Sequence, residues 1–130
     1  MSPRLDHLIL HVNSIPESVA FYTQVLEFEH LGERPPFAVL RVSPDLVIQL
    51  APWRTGGGEH LAFALPRAAF DRIFQRTKDR GIPYGDRFDG VGNLRGPAEE
   101  EGARGVGQAV YFFDPNQHLI EIRYYADELP

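Results

Sequence analysis

The sequence contains no cysteine among its 130 residues. Disulfide bridges and thiolate ligands are therefore excluded, so only imidazole and oxygen groups could hold a metal ion. No apolar run approaches the length of ~20 residues that a membrane helix needs, and we expect no membrane partner. Its first residues lack the basic start and apolar stretch of a secretory signal, which predicts a cytoplasmic protein.

An excess of positive charge is also missing. The chain has 13 Lys and Arg against 18 Asp and Glu, for a formal net charge of -5. Nucleic-acid-binding domains normally carry a basic patch, whereas the Lys and Arg residues here are scattered, so we expect no nucleic-acid partner. The hydrophobic share of 43% and charged share of 24% are those of an ordinary globular protein. We expect a single domain of 1–130.

The first half of the chain has the pattern of a βαβββ module. The segment 5–12 has strand propensity throughout, and Ser14-Ile15-Pro16-Glu17 has the form of a capping box with proline in the first helical turn. Three more strands are predicted at 28–34, 37–42 and 46–53, separated by turn residues. Module one therefore spans 1–55.

Three glycines at 56–58 form a joint, after which the pattern repeats. A strand at 59–65 precedes a helix that opens at Pro66, and further strands are predicted at 84–88, 108–113 and 118–125. The fold class predicted is α+β with paired βαβββ modules, the second at 59–126. Residues 89–107 are predicted to form a long glycine-rich loop, a lid or rim, whose glutamates 99–101 are solvated.

The repeat makes polar positions of the two halves equivalent. Because strand side chains alternate between faces, His7, Ile9 and His11 share one face of the first strand. By the same rule, His60 lies on a face with Ala62, and Glu121 on a face with Arg123. The repeat pairs His7 with His60, and it pairs Gln49 with Glu121.

Two histidines and one carboxylate form a ligand set that suits Fe, Mn, Ni or Zn as divalent ions. We predict one such ion held by His7, His60 and Glu121, with Gln49 as an optional fourth ligand. A carboxylate between Ile120 and Ile122 would be costly to bury ionised without a cation nearby. The alternatives are that each histidine is a hydrogen-bonded core or edge residue, and that Glu121 pairs only with Arg123.

Other residues are candidates for the surrounding site. His11 could act as an acid or base or lie in solvent, and Tyr111 could donate a proton or simply pack. We expect Ile9, Ala62 and Arg123 to line a substrate pocket. His30 and His118 lie near turns and are expected at the surface.

At this point the sequence resembles the vicinal oxygen chelate superfamily, which includes glyoxalase I, extradiol dioxygenases, and fosfomycin- and bleomycin-resistance proteins. The resemblance covers nearly the whole chain. It implies paired βαβββ modules curled into a cup around one metal, a homodimer, and a small-molecule substrate, and it puts the predicted ligands on the family's ligand positions. It is carried by these segments: Leu5-Asp6-His7-Leu8, Ser18 to Tyr22 with Leu26-Glu27-Phe28, His60 to Phe63, and Tyr111 to Asn116 leading to Glu121.

Departures from the subfamily patterns bear on the reaction. Gly102-Ala103-Arg104 stands where the extradiol dioxygenase pattern has a histidine, and Ile9 disfavours fosfomycin as the substrate. Bleomycin-binding members generally lack the metal ligands, so retention of the set favours an enzyme. The resemblance thus favours glyoxalase-like lyase or isomerase chemistry, in which Glu121 moves a proton between adjacent carbons. The alternatives are an Fe(II) extradiol-type dioxygenase and a metal-free protein that sequesters a small molecule or drug.

Overall fold

A computed structural model describes residues 1–126 of the chain. Its contacts divide the chain into two compact units, Met1–Gly57 and a second that begins at Gly58. The boundary between the units in the sequence therefore falls within the predicted glycine joint. The assignment of both units to one domain stays a prediction. Within residues 1–126, no helix is long and apolar enough to cross a membrane.

The first unit is a mixed four-stranded sheet with one helix. Its sheet order is β1-β4-β3-β2, in which β1 runs parallel to β4 and the other pairs are antiparallel. The helix begins where predicted, because the Ser14 side chain accepts a hydrogen bond from the Glu17 amide at 3.3 Å. Its elements are β1 (His7–His11), α1 (Ile15–Gln24), β2 (Glu29–Arg34), β3 (Phe37–Ser43) and β4 (Leu46–Ala51).

The second unit is a mixed five-stranded sheet with one helix. The order β5-β9-β8-β6 repeats the parallel pair of the first unit in β5 and β9, and β7 also pairs with β8. Its elements are β5 (His60–Ala64), α2 (Arg67–Asp79), β6 (Tyr84–Gly85), β7 (Ala98–Gly102), β8 (Gly105–Phe113) and β9 (Leu119–Tyr125).

The predicted α+β class is confirmed, and each unit pairs a first and a last strand in parallel. The second unit differs from the prediction in two places. Part of the predicted loop 89–107 is strand β7, which forms a hairpin with the first part of β8. The predicted strand 84–88 keeps only Tyr84–Gly85. The chain turns there because Gly85 packs directly on the carbonyl of Gly90, and a side chain at position 85 would clash with that carbonyl.

The alternation of side chains along the strands follows the predicted pattern. In the first unit Leu10, Ile48 and Leu50 are fully buried, and in the second Ile120 and Ile122 are fully buried. The opposite face of β1 leaves His7, Ile9 and His11 exposed. Each sheet therefore has one apolar packed face and one face on which the predicted site residues lie.

Candidate metal and substrate site

The strand register brings predicted site residues of the second unit together. Ala62 of β5 pairs with Glu121 of β9, Ala64 pairs with Arg123, and Tyr111 of β8 pairs with Glu121. Because paired residues point to the same side of a sheet, these side chains share one face. A cavity of about 890 Å³ lies on this face, and its wall includes His60, Ala62, Tyr111, Glu121 and Arg123.

Glu121 is the centre of the polar contacts in this cavity. Its side chain is almost fully buried, and its Oε1 lies 2.9 Å from Nε2 of His60. Its Oε2 accepts a hydrogen bond of 2.7 Å from Nη1 of Arg123. The guanidinium compensates a buried carboxylate that would otherwise be costly. The contacts expected from both alternatives to a metal site are therefore present, because Glu121 pairs with Arg123 and His60 is hydrogen-bonded to Glu121.

Tyr111 is also part of the cavity wall and is 2% exposed. Its hydroxyl donates a hydrogen bond of 2.5 Å to Oε1 of Glu100. Burial, the bond to Glu100 and the charge of Glu121 raise the pKa of Tyr111 far above its usual value. The hydroxyl therefore stays protonated and does not act as a base. The expectation that residues 99–101 are all solvated fails at Glu100, which is half-buried and accepts this hydrogen bond.

The remaining site residues lie in the first unit. Ile9 pairs with Gln49 and shares its face of the sheet with His7 and His11. His7 contacts the carboxylate of Asp6 through Nδ1 at 2.9 Å, an arrangement that leaves Nε2 available to a ligand. The ring of His11 meets that of Trp53 edge-on, with centroids 5.3 Å apart.

The donors of the second unit fit part of a metal site. Within neither unit, across residues 1–126, do three His, Asp or Glu side chains converge as they would around an ion. His60 and Glu121 supply two donors 2.9 Å apart. Two ligands that each lie ~2.1 Å from one ion at right angles are ~3.0 Å apart, so the spacing is compatible with shared coordination. It is equally that of the direct hydrogen bond that the two side chains form in this structure.

His118 is the histidine that the sequence misassigned. It was expected at the surface, but it is only 1% exposed. Its Nδ1 accepts a hydrogen bond of 3.2 Å from the amide of Glu59, the residue before His60. The turn before β9 directs this ring towards the protein interior. There its hydrogen bond fixes the backbone of Glu59, directly before β5. Only its place one residue before a buried strand could have signalled this role.

Comparison with known families gives a match over residues 4–122, to the model described as Glyoxalase/Bleomycin resistance protein/Dioxygenase superfamily. The chain belongs to this superfamily. Its members generally use a divalent metal ion, bind small molecules and dimerise. The resemblance drawn from the sequence segments is thereby confirmed at the level of the family.

Individual relatives are more distant. The virulence protein STM3117 of Salmonella typhimurium is 26% identical over 95% of this chain and 85% of its own length. Its crystal structure aligns with a TM-score of 0.75, covering 97% of this chain and 99% of that one. Oxidase ChaP-H2 aligns with a TM-score of 0.81 at 25% identity, over 97% and 98% of the two chains. An integron cassette protein of V. cholerae aligns with a TM-score of 0.78 at 25% identity, over 97% and 98%.

Proposed function

We propose that this superfamily member is a divalent-metal-dependent enzyme that acts on a small molecule, which chelates the ion through neighbouring oxygen atoms. The observation that carries the proposal is the 2.9 Å spacing of His60 Nε2 and Glu121 Oε1 in the wall of a large cavity. His7 is the proposed third ligand and Gln49 a candidate fourth. The ion would be Fe, Mn, Ni or Zn, which accept nitrogen and oxygen donors of this kind.

The bound ion would supply Lewis-acid polarisation of the substrate oxygens. The residues of the chain would supply the proton chemistry. Glu121 is the proposed base, and Tyr111, whose hydroxyl is held by Glu100, is the proposed acid. His11 is a further acid or base candidate. A base and an acid in one cavity favour a lyase or isomerase reaction, with Ile9, Ala62 and Arg123 as proposed pocket residues.

Oxygen activation at Fe(II) is the second candidate reaction. It is supported by the similarity to oxidase ChaP-H2, which extends over 97% of this chain. Two histidines and one carboxylate with open positions are also the ligand set of many Fe(II) oxygenases. The two reactions are separated by loading the protein with Fe(II) anaerobically and then measuring oxygen uptake with a catechol panel. Uptake would favour the oxidative reaction, and its absence across the panel would reject it.

The metal dependence is tested by elemental analysis of protein purified without chelator, followed by titration with Zn, Ni, Mn and Fe(II). We expect about one ion per chain and a loss of most binding in His60→Ala. His30→Ala is the matched control, because His30 lies on β2 and contacts Glu33 at 3.4 Å. A wild-type chain that takes up none of these ions would refute the proposal. Small-molecule binding that EDTA leaves unchanged would then favour a sequestering protein.

A further inference from the structure

The two carboxylate oxygens of Glu121 have different partners. Oε1 faces His60, whereas Oε2 accepts the 2.7 Å hydrogen bond from Nη1 of Arg123. A carboxylate that is held through one oxygen cannot rotate without breaking that bond. The contact with Arg123 therefore fixes the direction in which Oε1 points.

Arg123 is itself held from two strands. Its Nη2 donates a hydrogen bond of 2.9 Å to the backbone oxygen of Glu100 on β7. On β9, the ring of Tyr125 lies under the guanidinium, with the central carbon 4.7 Å from the ring centroid. The side chain is 3% exposed, so neither contact is weakened by solvent as a surface contact would be.

Gly102 at the end of β7 provides the space for the guanidinium. A Cβ atom at this position would lie closer than 3.0 Å to Cζ, Nη1 and Nε of Arg123. The backbone of Gly102 does not have a positive φ, so an L-residue is compatible with its conformation. Glycine is therefore required here by the guanidinium and not by the turn of the chain.

One feature of Arg123 argues against a purely stabilising role. Its Nε is buried and has no hydrogen-bond partner among residues 1–126. A buried donor without a partner is uncommon in folded proteins and lowers their stability. The bonds of Arg123 to Glu121 and to the Glu100 carbonyl are therefore kept although one of its own donors is left unsatisfied.

We propose that Arg123 is a positioning residue for Glu121, and that the hairpin of β7 and β8 holds Arg123 in place through Gly102. This inference rests on the proposed metal-dependent function and adds residues from outside the ligand set to it. The affinity of the site for its ion would then depend on this hairpin, which the sequence predicted only as a loop.

The test is a titration of the metal-free protein with Co²⁺, whose visible absorption reports the ligand geometry. For Gly102→Ala and Arg123→Met we expect the Kd to rise by about 10–100-fold, as for the loss of other outer-shell partners, with a changed spectrum. Arg123→Lys should fall between these variants and wild type, since its ammonium keeps the positive charge but lacks the planar fork with which the guanidinium bonds Oε2 and the Glu100 carbonyl. Gly56→Ala is the matched control, because a Cβ there would meet no atom within 4 Å.

Every outcome bears on the proposal. An unchanged Kd and spectrum in all three variants would overturn it and leave Arg123 as a structural residue. Tighter binding by Arg123→Met would also overturn it, since that is the result expected if Arg123 acted only as a cation repelling the metal. If wild type binds neither Co²⁺ nor any of Zn, Ni, Mn and Fe(II), the metal-dependent function itself is refuted, and the role of Arg123 with it. Circular dichroism of the metal-free variants identifies any that do not fold. If Arg123→Met does not fold, the Kd and spectrum of Gly102→Ala and Arg123→Lys test the proposal.

Discussion

At the scale of single residues, the contact between Tyr111 and Glu100 combines burial with negative charge. Both factors raise the pKa of the Tyr111 hydroxyl, burial first and the carboxylates after it. An unfolded chain releases a tyrosine proton near pH 10. Above this pH the folded protein holds a proton that the unfolded chain has lost, so the free energy of unfolding falls as the pH rises.

We therefore predict a pH-dependent effect of Tyr111→Phe on the metal-free protein. Below pH ~10 the variant should be less stable than wild type by about 1–2 kcal/mol, because it lacks the hydrogen bond to Glu100. The difference should shrink by about 1.4 kcal/mol per pH unit above that point. Urea unfolding at pH 8 and at higher pH measures it.

Tyr84→Phe is the control for this experiment, because Tyr84 lies on the short strand β6 and its ring packs edge-on against Phe74. Its effect should be small at both pH values. A difference between wild type and Tyr111→Phe that stays constant or grows with pH would contradict the raised pKa.

Residue types and strand spacing were sufficient to predict the faces of His60, Ala62, Glu121 and Arg123. They were not sufficient for Glu100, because in the run 99–101 every residue is a glutamate and no apolar neighbour marks which one points inward. The register of β7 on β8 decides this, since it sets Glu100 opposite Gly107 on the face that carries Tyr111. Such a register depends on tertiary pairing and not on the local sequence.

At the scale of elements, the strands that the sequence predicted have an apolar periodicity, whereas β7 depends on its pairing with another strand. β1, β4, β5 and β9 carry apolar residues at alternate positions along one face, so their periodicity is visible in the sequence. β7 has the sequence Ala-Glu-Glu-Glu-Gly, and it is a strand because its backbone pairs with β8. Charged residues are common on strands that lie at the edge of a sheet, where they discourage pairing with other chains. The hairpin was therefore not predicted, because the polar sequence of β7 has no strand periodicity.

The turn between β8 and β9 gives a prediction at this scale. Asp114 is buried, and its Oδ1 accepts hydrogen bonds from the amides of Asn116 at 2.8 Å and His118 at 2.9 Å. Asp114→Ala should lower the free energy of unfolding by about 2–4 kcal/mol, because it leaves buried donors without an acceptor.

The repeat provides a matched control for this substitution. Asp45 occupies the corresponding turn between β3 and β4 and is exposed. Asp45→Ala should change the free energy of unfolding by no more than about 0.5 kcal/mol. Chemical unfolding of both variants makes the comparison, and equal effects would show that the acceptor role of Asp114 does not stabilise the turn.

At the scale of the whole molecule, the two units repeat the parallel pairing of a first and a last strand, β1 with β4 and β5 with β9. Each of these pairs carries a histidine at the start of its first strand. The proposed ligand set draws His7 from one unit and His60 with Glu121 from the other. We expect bound metal to stabilise the folded chain, with each of the three proposed ligands contributing to that stabilisation.

Zinc should then raise the thermal stability of wild type by an amount set by mass action, about 2.7 kcal/mol when free zinc is 100 times its Kd. Both His7→Ala and His60→Ala should lose most of this stabilisation. His7 is half-exposed and contacts only an exposed carboxylate, so His7→Ala should keep the stability of the metal-free protein. His60→Ala also loses the contact with Glu121, so its zinc effect is measured against its own metal-free form. His30→Ala, also in the first unit, should keep the full stabilisation by zinc. Calorimetry with zinc and with EDTA distinguishes the cases. Full stabilisation of His7→Ala by zinc would remove His7 from the ligand set and confine the site to the cavity of the second unit.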